Sequence, residues 1–246
     1  MKLDVLLTPG ELMPGDIAER TVVVIDVLRA SSTIVQALAA GARALFPVAS
    51  IEEALRLANT LGRDEVLLCG ERKSLPIEGF DLGNSPGDFT AERVGGKTLV
   101  MSTTNGTGAM MAAAAASRVV VGSFLNLQAV VDELVRTGAE PVFLCSGRET
   151  KFGLEDAVCA GKMASTVMEA VEGDWELNDG ALAALALAER YGELDSLFSQ
   201  VAAGKQIVEA GLSDDLAFCA RTDSLDVVPV LHDRQISLAP AAAVEG

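Results

Sequence analysis

Charged and hydroxyl side chains directly follow an apolar segment near the start of the chain. Residues 22–25 are branched and apolar, which is typical of a strand buried on both faces. Asp26 follows where this strand should end, and Arg29 comes shortly after it. Ser31 and Ser32 can cap the helix predicted next. An acid, a base and a helix N-terminus in one place can hold a metal ion and an anion, although a capped turn with an Arg29–Asp26 pair explains the same residues.

Three further polar segments follow predicted strands in the same way. They are residues 70–86, 102–107 and 146–156. In a parallel sheet the carboxyl ends of the strands lie at one edge, where ligands bind in a crevice. We therefore predict that the four polar clusters line one crevice.

The four clusters contain charges of both signs. Their carboxylates are candidate ligands for a hard cation such as Mg²⁺, and they are Asp26, Glu71, Asp81, Glu155 and Asp156. Their cationic side chains are suited to oxyanions, and they are Arg29, Arg72, Lys73, Arg148 and Lys151. Solvated surface acids and local salt bridges are the alternative interpretation of both sets.

The segment 102–107 offers hydroxyls, an amide and a glycine at the predicted start of a helix. Such a segment can hold a phosphate or sulfonate oxygen, and it also fits an ordinary helix cap. The chain contains no GxxxxGK[ST] motif, no GxGxxG after a strand and no GxSxG, and His232 is its only histidine. These patterns argue against a Walker A phosphate loop, against dinucleotide binding and against a Ser-His-Asp hydrolase.

The order of the predicted elements indicates the fold class. Strands alternate with helices, which predicts a three-layer α/β/α fold with a mostly parallel sheet and a helix-rich C-terminal third. We expect a single domain over residues 1–246, with a helical portion at about residues 173–211 that is either a subdomain or an outer layer. The tail after Pro240 is expected to be frayed.

Composition excludes several classes of function. The net charge of −16 at pH 7 argues against nonspecific nucleic-acid binding and against anionic membranes. No apolar run is long enough to cross a bilayer. The four scattered cysteines suggest neither zinc nor disulfides, so we expect a cytoplasmic protein. Self-association into a homo-oligomer is left open.

Several segments resemble, in order, the motifs of the 2-phosphosulfolactate phosphatase family. The likeness extends from the first strand to beyond Gly161, about two-thirds of the chain. The segments that carry it are 24–31, 70–72, 79–86, 103–107 and 122–126, together with Phe152, Glu155, Asp156, Ala160 and Gly161.

The resemblance implies an Mg²⁺-dependent phosphatase that hydrolyses 2-phospho-3-sulfolactate to 3-sulfolactate and phosphate. In some organisms this step belongs to coenzyme M synthesis. The expected partner is a small anionic phosphorylated substrate. Two alternatives stay open, which are a phosphatase for another small phosphorylated hydroxy acid and a noncatalytic protein that binds small anions.

The resemblance also implies roles for individual residues. The catalytic residues would be Asp26, Arg29, Glu71 and Arg72. The Mg²⁺ ligands would come from Asp26, Glu71, Asp81 and Asp156. Substrate would be bound by Ser31, Ser32, Asn84, Thr103, Thr104, Asn105, Gly106, Thr107, Arg148 and Lys151. The nucleophile is either a metal-activated water or Asp26 itself.

Overall fold

The computed structural model describes residues 1–13, 15, 17–149 and 151–239, apart from the side chain of Asp64. The tail after Pro240 therefore lies outside the described residues. Within them, the strands that form the sheet are β1 (Lys2–Leu6), β2 (Thr21–Ile25), β3 (Ala44–Pro47), β4 (Val66–Arg72), β5 (Leu75–Pro76), β6 (Thr98–Ser102), β7 (Arg118–Gly122), β8 (Pro141–Cys145), β9 (Glu176–Leu177), β10 (Pro229–His232) and β11 (Gln235–Leu238).

Helices connect most of these strands. The α-helices in the described part of the chain are α1 (Ala30–Ala39), α2 (Ile51–Leu61), α3 (Ala91–Val94), α4 (Gly106–Ala112), α5 (Leu127–Thr137), α6 (Leu154–Ala170), α7 (Asp179–Arg190), α8 (Leu194–Gln200), α9 (Ala202–Glu209) and α10 (Asp214–Cys219). None of the helices described is long and apolar enough to cross a membrane.

The two faces of the sheet carry separate apolar cores. Successive side chains of a strand point to opposite faces, so Val22 and Val24 of β2 pack with α1 and α4, whereas Val23 and Ile25 pack with α5 and α6. Helices α7 to α10 extend the second core outward. This arrangement confirms the predicted α/β fold with helices on both faces of a mostly parallel sheet.

The sheet consists of two parallel blocks joined by a hairpin. Its order is β5-β4-β6-β3-β11-β10-β7-β2-β8-β1-β9. Strands β4, β6 and β3 are mutually parallel, as are β7, β2, β8, β1 and β9. The hairpin of β10 and β11 pairs antiparallel with β7 on one side and with β3 on the other. The two blocks therefore run in opposite directions.

This topology corrects the expectation that the four polar clusters share one edge of a single parallel sheet. The last two strands of the described chain, β10 and β11, are inserted as a pair between the blocks. Neighbouring strands rotate by about 20–25°, so the five steps from β6 to β2 rotate the strand direction by about 100–125°. This twist turns the carboxyl ends of the two blocks toward each other.

Candidate active site

The four polar clusters line one cavity, as the sequence predicts. Each cluster follows one of the strands β2, β4, β6 and β8. The cavity is lined by four acidic residues, which are Asp26, Glu71, Glu149 and Glu155. It is lined by three cationic side chains, which are Arg29, Lys73 and Arg148. The uncharged polar side chains on its wall include Asn84, Thr103, Thr104, Asn105 and Gln206.

Asp26 is held at the end of β2 by its own loop. Its Oδ1 accepts a hydrogen bond from the Ala30 amide at 3.3 Å. The Ser31 hydroxyl accepts from the Asp26 amide at 3.1 Å and donates to the Asp26 carbonyl at 2.8 Å. The Ser32 hydroxyl donates to the Val27 carbonyl. Both serines therefore brace this loop, and neither caps α1, which begins at Ala30.

Burial is the main cause of the raised pKa of the Asp26 carboxyl group. The side chain is almost fully enclosed, and its pKa is raised to about 7, with burial as the largest cause. The negative charges of Glu71 and Glu155 contribute to this rise, and hydrogen bonds from Ala30 and Ser146 oppose it. A cation beside the group would stabilise its ionised form.

Gly106 at the start of α4 makes room for the Asp26 carboxylate. A Cβ atom at this position would lie 2.5 Å from Ala30 Cβ and 2.6 Å from Asp26 Oδ2. Only a residue without a side chain lets α4 approach this closely. Gly108, on the same helix, has no atom within 4 Å of a Cβ placed there.

This difference gives a matched pair of variants. Gly106→Ala is expected to cost about 1–3 kcal/mol of folding free energy through overpacking, and to lower kcat/KM about 10-fold to 100-fold because it displaces Asp26. Gly108→Ala is expected to keep activity and to stabilise α4 by about 0.5–1 kcal/mol. Chemical denaturation and steady-state kinetics check both. Equal activity of the two variants would contradict this role of Gly106.

Glu71 connects two of the polar clusters. Its Oε1 accepts from the Thr104 amide at 2.7 Å, and its Oε2 accepts from the Ser74 amide at 2.8 Å. The next residue, Arg72, points away and donates to the hydroxyl and carbonyl oxygens of Ser102. The structure therefore brings Glu71 to the cavity and does not bring Arg72 there.

Asp156 connects the cluster after β8 to the end of β2. Its Oδ1 accepts from the Val27 amide at 2.8 Å, and its Oδ2 accepts from the Gly147 amide at 3.0 Å. Burial raises its pKa well above the ordinary value, and the charges of Glu155 and Asp26 add to this rise. Asp156 does not line the cavity, whereas Glu155 does. Through its two amide contacts Asp156 positions the loops behind the cavity.

The segment at the start of α4 is ordered by its own side chains. The Thr107 amide donates to the Thr103 hydroxyl, and the Thr107 hydroxyl donates to the Thr103 carbonyl, both at 3.1 Å. Asn105 Oδ1 accepts from the Glu149 amide at 2.9 Å, which ties this segment to the cluster after β8. Thr104 and Asn105 face the cavity from this frame.

The two cavity arginines are held by residues of the C-terminal helices. Arg29, which is 3% exposed, donates to Asp215 of α10, to the Ser85 hydroxyl at 3.1 Å and to the Ser74 carbonyl at 2.9 Å. Arg148 donates to Gln206 Oε1 of α9 at 2.6 Å. Gln206 lies within the predicted helical portion at about residues 173–211, and Asp215 lies just beyond it.

Two other predicted site residues lie elsewhere. Both Asp81 carboxylate oxygens accept from Arg63 at about 3 Å, and Oδ2 also accepts from the Leu68 amide. Lys151 is exposed and pairs with Arg148 through backbone hydrogen bonds. Neither residue lines the cavity. Sequence reasoning missed Gln206 and Asp215, because nothing in their surroundings distinguishes them from other polar helix residues.

The donor set of the cavity fits Mg²⁺. Among the described residues, no group of three or more His, Cys, Asp or Glu side chains is arranged to hold a metal ion alone. Mg²⁺ needs only one or two carboxylates because it keeps several waters and shares substrate phosphate, and Asp26, Glu71 and Glu155 line one cavity. In addition, Asn84 Oδ1 is buried without a hydrogen-bond partner in the described structure.

Most of the chain is similar to the proteins of one known family. A family model described as 2-phosphosulpholactate phosphatase matches residues 6–234. A protein of Symbiobacterium thermophilum named "Probable 2-phosphosulfolactate phosphatase" is 42% identical over 224 residues, which are 91% of this chain and 96% of that protein. A protein of Caldanaerobacter subterraneus with the same name is 38% identical over 236 residues, which are 95% of this chain and 96% of that protein. Another, from Clostridium acetobutylicum, is 36% identical over 236 residues, which are 96% of this chain and 100% of that protein.

Proposed function

The chain belongs to the 2-phosphosulfolactate phosphatase family, and from this premise we propose that it hydrolyses 2-phospho-3-sulfolactate to 3-sulfolactate and phosphate. The observation that carries the proposal is the cavity in which carboxylates and cationic side chains of three polar clusters meet the hydroxyl and amide side chains of the fourth. The substrate has phosphate, carboxylate and sulfonate groups, so an acidic protein needs local positive charge to bind it.

We propose that Mg²⁺ is held in this cavity by Asp26 together with one of Glu71 and Glu155. Asp81 and Asp156 are left out of this set because neither lines the cavity. Bound Mg²⁺ supplies positive charge beside the phosphoryl oxygens and offsets the mutual repulsion of the carboxylates.

The residues around Asp26 bind and orient the phosphate. Arg29 uses three of its N–H donors on protein partners in the described structure, which leaves two for phosphate oxygens. The side chains of Thr104 and Asn105 approach from the opposite loop. Asp26 lies at the reacting centre, where it either attacks phosphorus or orients the attacking water.

Arg148 is proposed to bind the sulfonate. It lines the cavity around Asp26. It also lines a second, outer groove together with Lys73, Lys205 and Gln206. This position suits the end of the substrate farthest from Asp26. We also propose a reducing compartment, the cytoplasm, which the four buried free cysteines support.

Phosphate release tests the proposed function. The protein is assayed with 2-phospho-3-sulfolactate and with phospholactate, each in Mg²⁺ and in excess EDTA. We expect release in Mg²⁺, a higher kcat/KM for phosphosulfolactate, and loss of release in EDTA that added Mg²⁺ restores. No release from either ester in Mg²⁺ would contradict the phosphatase assignment, and full release in EDTA would contradict the metal.

A further inference from the structure

The two arginines of the cavity have partners of different charge. Arg29 is paired with the carboxylate of Asp215, and both side chains are buried. Arg148 is paired with a neutral amide, Gln206 Oε1, at 2.6 Å. The direct partner of Arg29 is therefore charged, whereas the direct partner of Arg148 is neutral.

Charged groups also lie near Arg148. Among the described residues no carboxylate lies within ion-pair distance of its guanidinium, but the charge of the buried Glu155 interacts with that of Arg148, and Glu149 shares the cavity. The outer groove adds Lys73 and Lys205 on the basic side and Glu209 on the acidic side. The direct side-chain partner of Arg148 is thus uncharged, while the carboxylates of Glu149, Glu155 and Glu209 lie around the arginine.

A guanidinium group whose hydrogen-bonded partner is neutral is not compensated by a carboxylate at that contact. Its remaining N–H groups can bind two oxygens of a sulfonate in parallel. A carboxylate at position 206 would compete with that ligand for the same donors. We propose that Gln206 is a specificity-determining residue, which orients Arg148 without neutralising it and so favours substrates that carry a second strong anion.

This inference rests on the proposed function, and a substitution at position 206 tests it. Gln206→Glu places a carboxylate where the amide oxygen now lies. We expect the ratio of kcat/KM for 2-phospho-3-sulfolactate to that for phospholactate to fall by about 10-fold to 100-fold. Gln206→Met removes the hydrogen bond but adds no charge, and its ratio is expected to fall only a few-fold. Gln128→Glu, on the exposed start of α5, adds the same net charge away from the site and is the control.

The substrate ratio separates specificity from a structural role. Damage to the fold would lower activity on both esters alike and leave the ratio unchanged, and that outcome would overturn the inference. Calorimetric binding of 3-sulfolactate and of lactate gives the same comparison without turnover. If the wild type hydrolyses neither ester while Gln206→Glu still weakens 3-sulfolactate binding selectively, the proposed function fails and the inference holds.

Discussion

Asp26→Asn is expected to lower kcat by about 100-fold to 1000-fold or more, because it removes charge at the point where the phosphoryl group reacts. Asn keeps the size of the side chain and can still accept from the Ala30 amide. The expected loss is therefore in catalysis and Mg²⁺ affinity rather than in the fold. Turnover near the wild-type rate would contradict the placement of the reacting centre at Asp26.

Stability measurements show whether the Asp26→Asn protein is intact. The folded-state pKa of Asp26 is raised from 3.8 to about 7. The group therefore stabilises the fold fully below its unfolded pKa, and this contribution is lost as pH rises through about 7. Asn cannot ionise, so in EDTA at about pH 8 the variant is expected to be more stable than the wild type, with a smaller difference at about pH 5. Urea denaturation at both pH values checks this.

Asp215→Ala is expected to lower the free energy of unfolding by about 3–5 kcal/mol, because it leaves the buried Arg29 without its charged partner. Ser85 would lose a partner as well, since its hydroxyl donates to Asp215 Oδ2 at 2.8 Å. The Arg29 guanidinium would then lose its fixed orientation in the cavity, so kcat/KM is expected to fall too. Chemical denaturation measures the first effect, and steady-state kinetics measures the second.

The neighbouring residue provides the control for this variant. Asp214 is exposed in the same first turn of α10. Asp214→Ala is expected to cost at most about 1 kcal/mol through the helix dipole. Equal losses of stability in the two variants would show that Asp215 has no special role at Arg29.

The sequence predicts which residues line the cavity better than it predicts the order and direction of the strands in the sheet. The clusters after β2, β4, β6 and β8 are each recognisable as polar segments that end apolar ones, and the structure brings them together. The hairpin of β10 and β11 is not predictable in this way. Its strands are short and only partly buried. No local sequence pattern predicts that they insert between β7 and β3.

The remaining differences between the predicted and the observed site concern neighbouring strand residues and residues of distant helices. Glu71 and Arg72 are adjacent, and in a strand one residue decides which face a side chain occupies, so composition alone did not separate them. Gln206 and Asp215 lie 58 and 186 residues from the arginines they hold. Helical periodicity indicates which face of a helix is buried, but it does not identify the loop that the face contacts.

A crystal structure with Mn²⁺ in place of Mg²⁺, and with a nonhydrolysable phosphonate analogue of the substrate, tests the central claim most directly. The anomalous signal of Mn²⁺ locates the cation independently of any assumed ligand set. We expect one peak within coordination distance of the Asp26 carboxylate and of at least one of Glu71 and Glu155, with the phosphonate between the cation and Arg29. A phosphonate bound in the cavity with no Mn²⁺ peak beside Asp26 would contradict the claim.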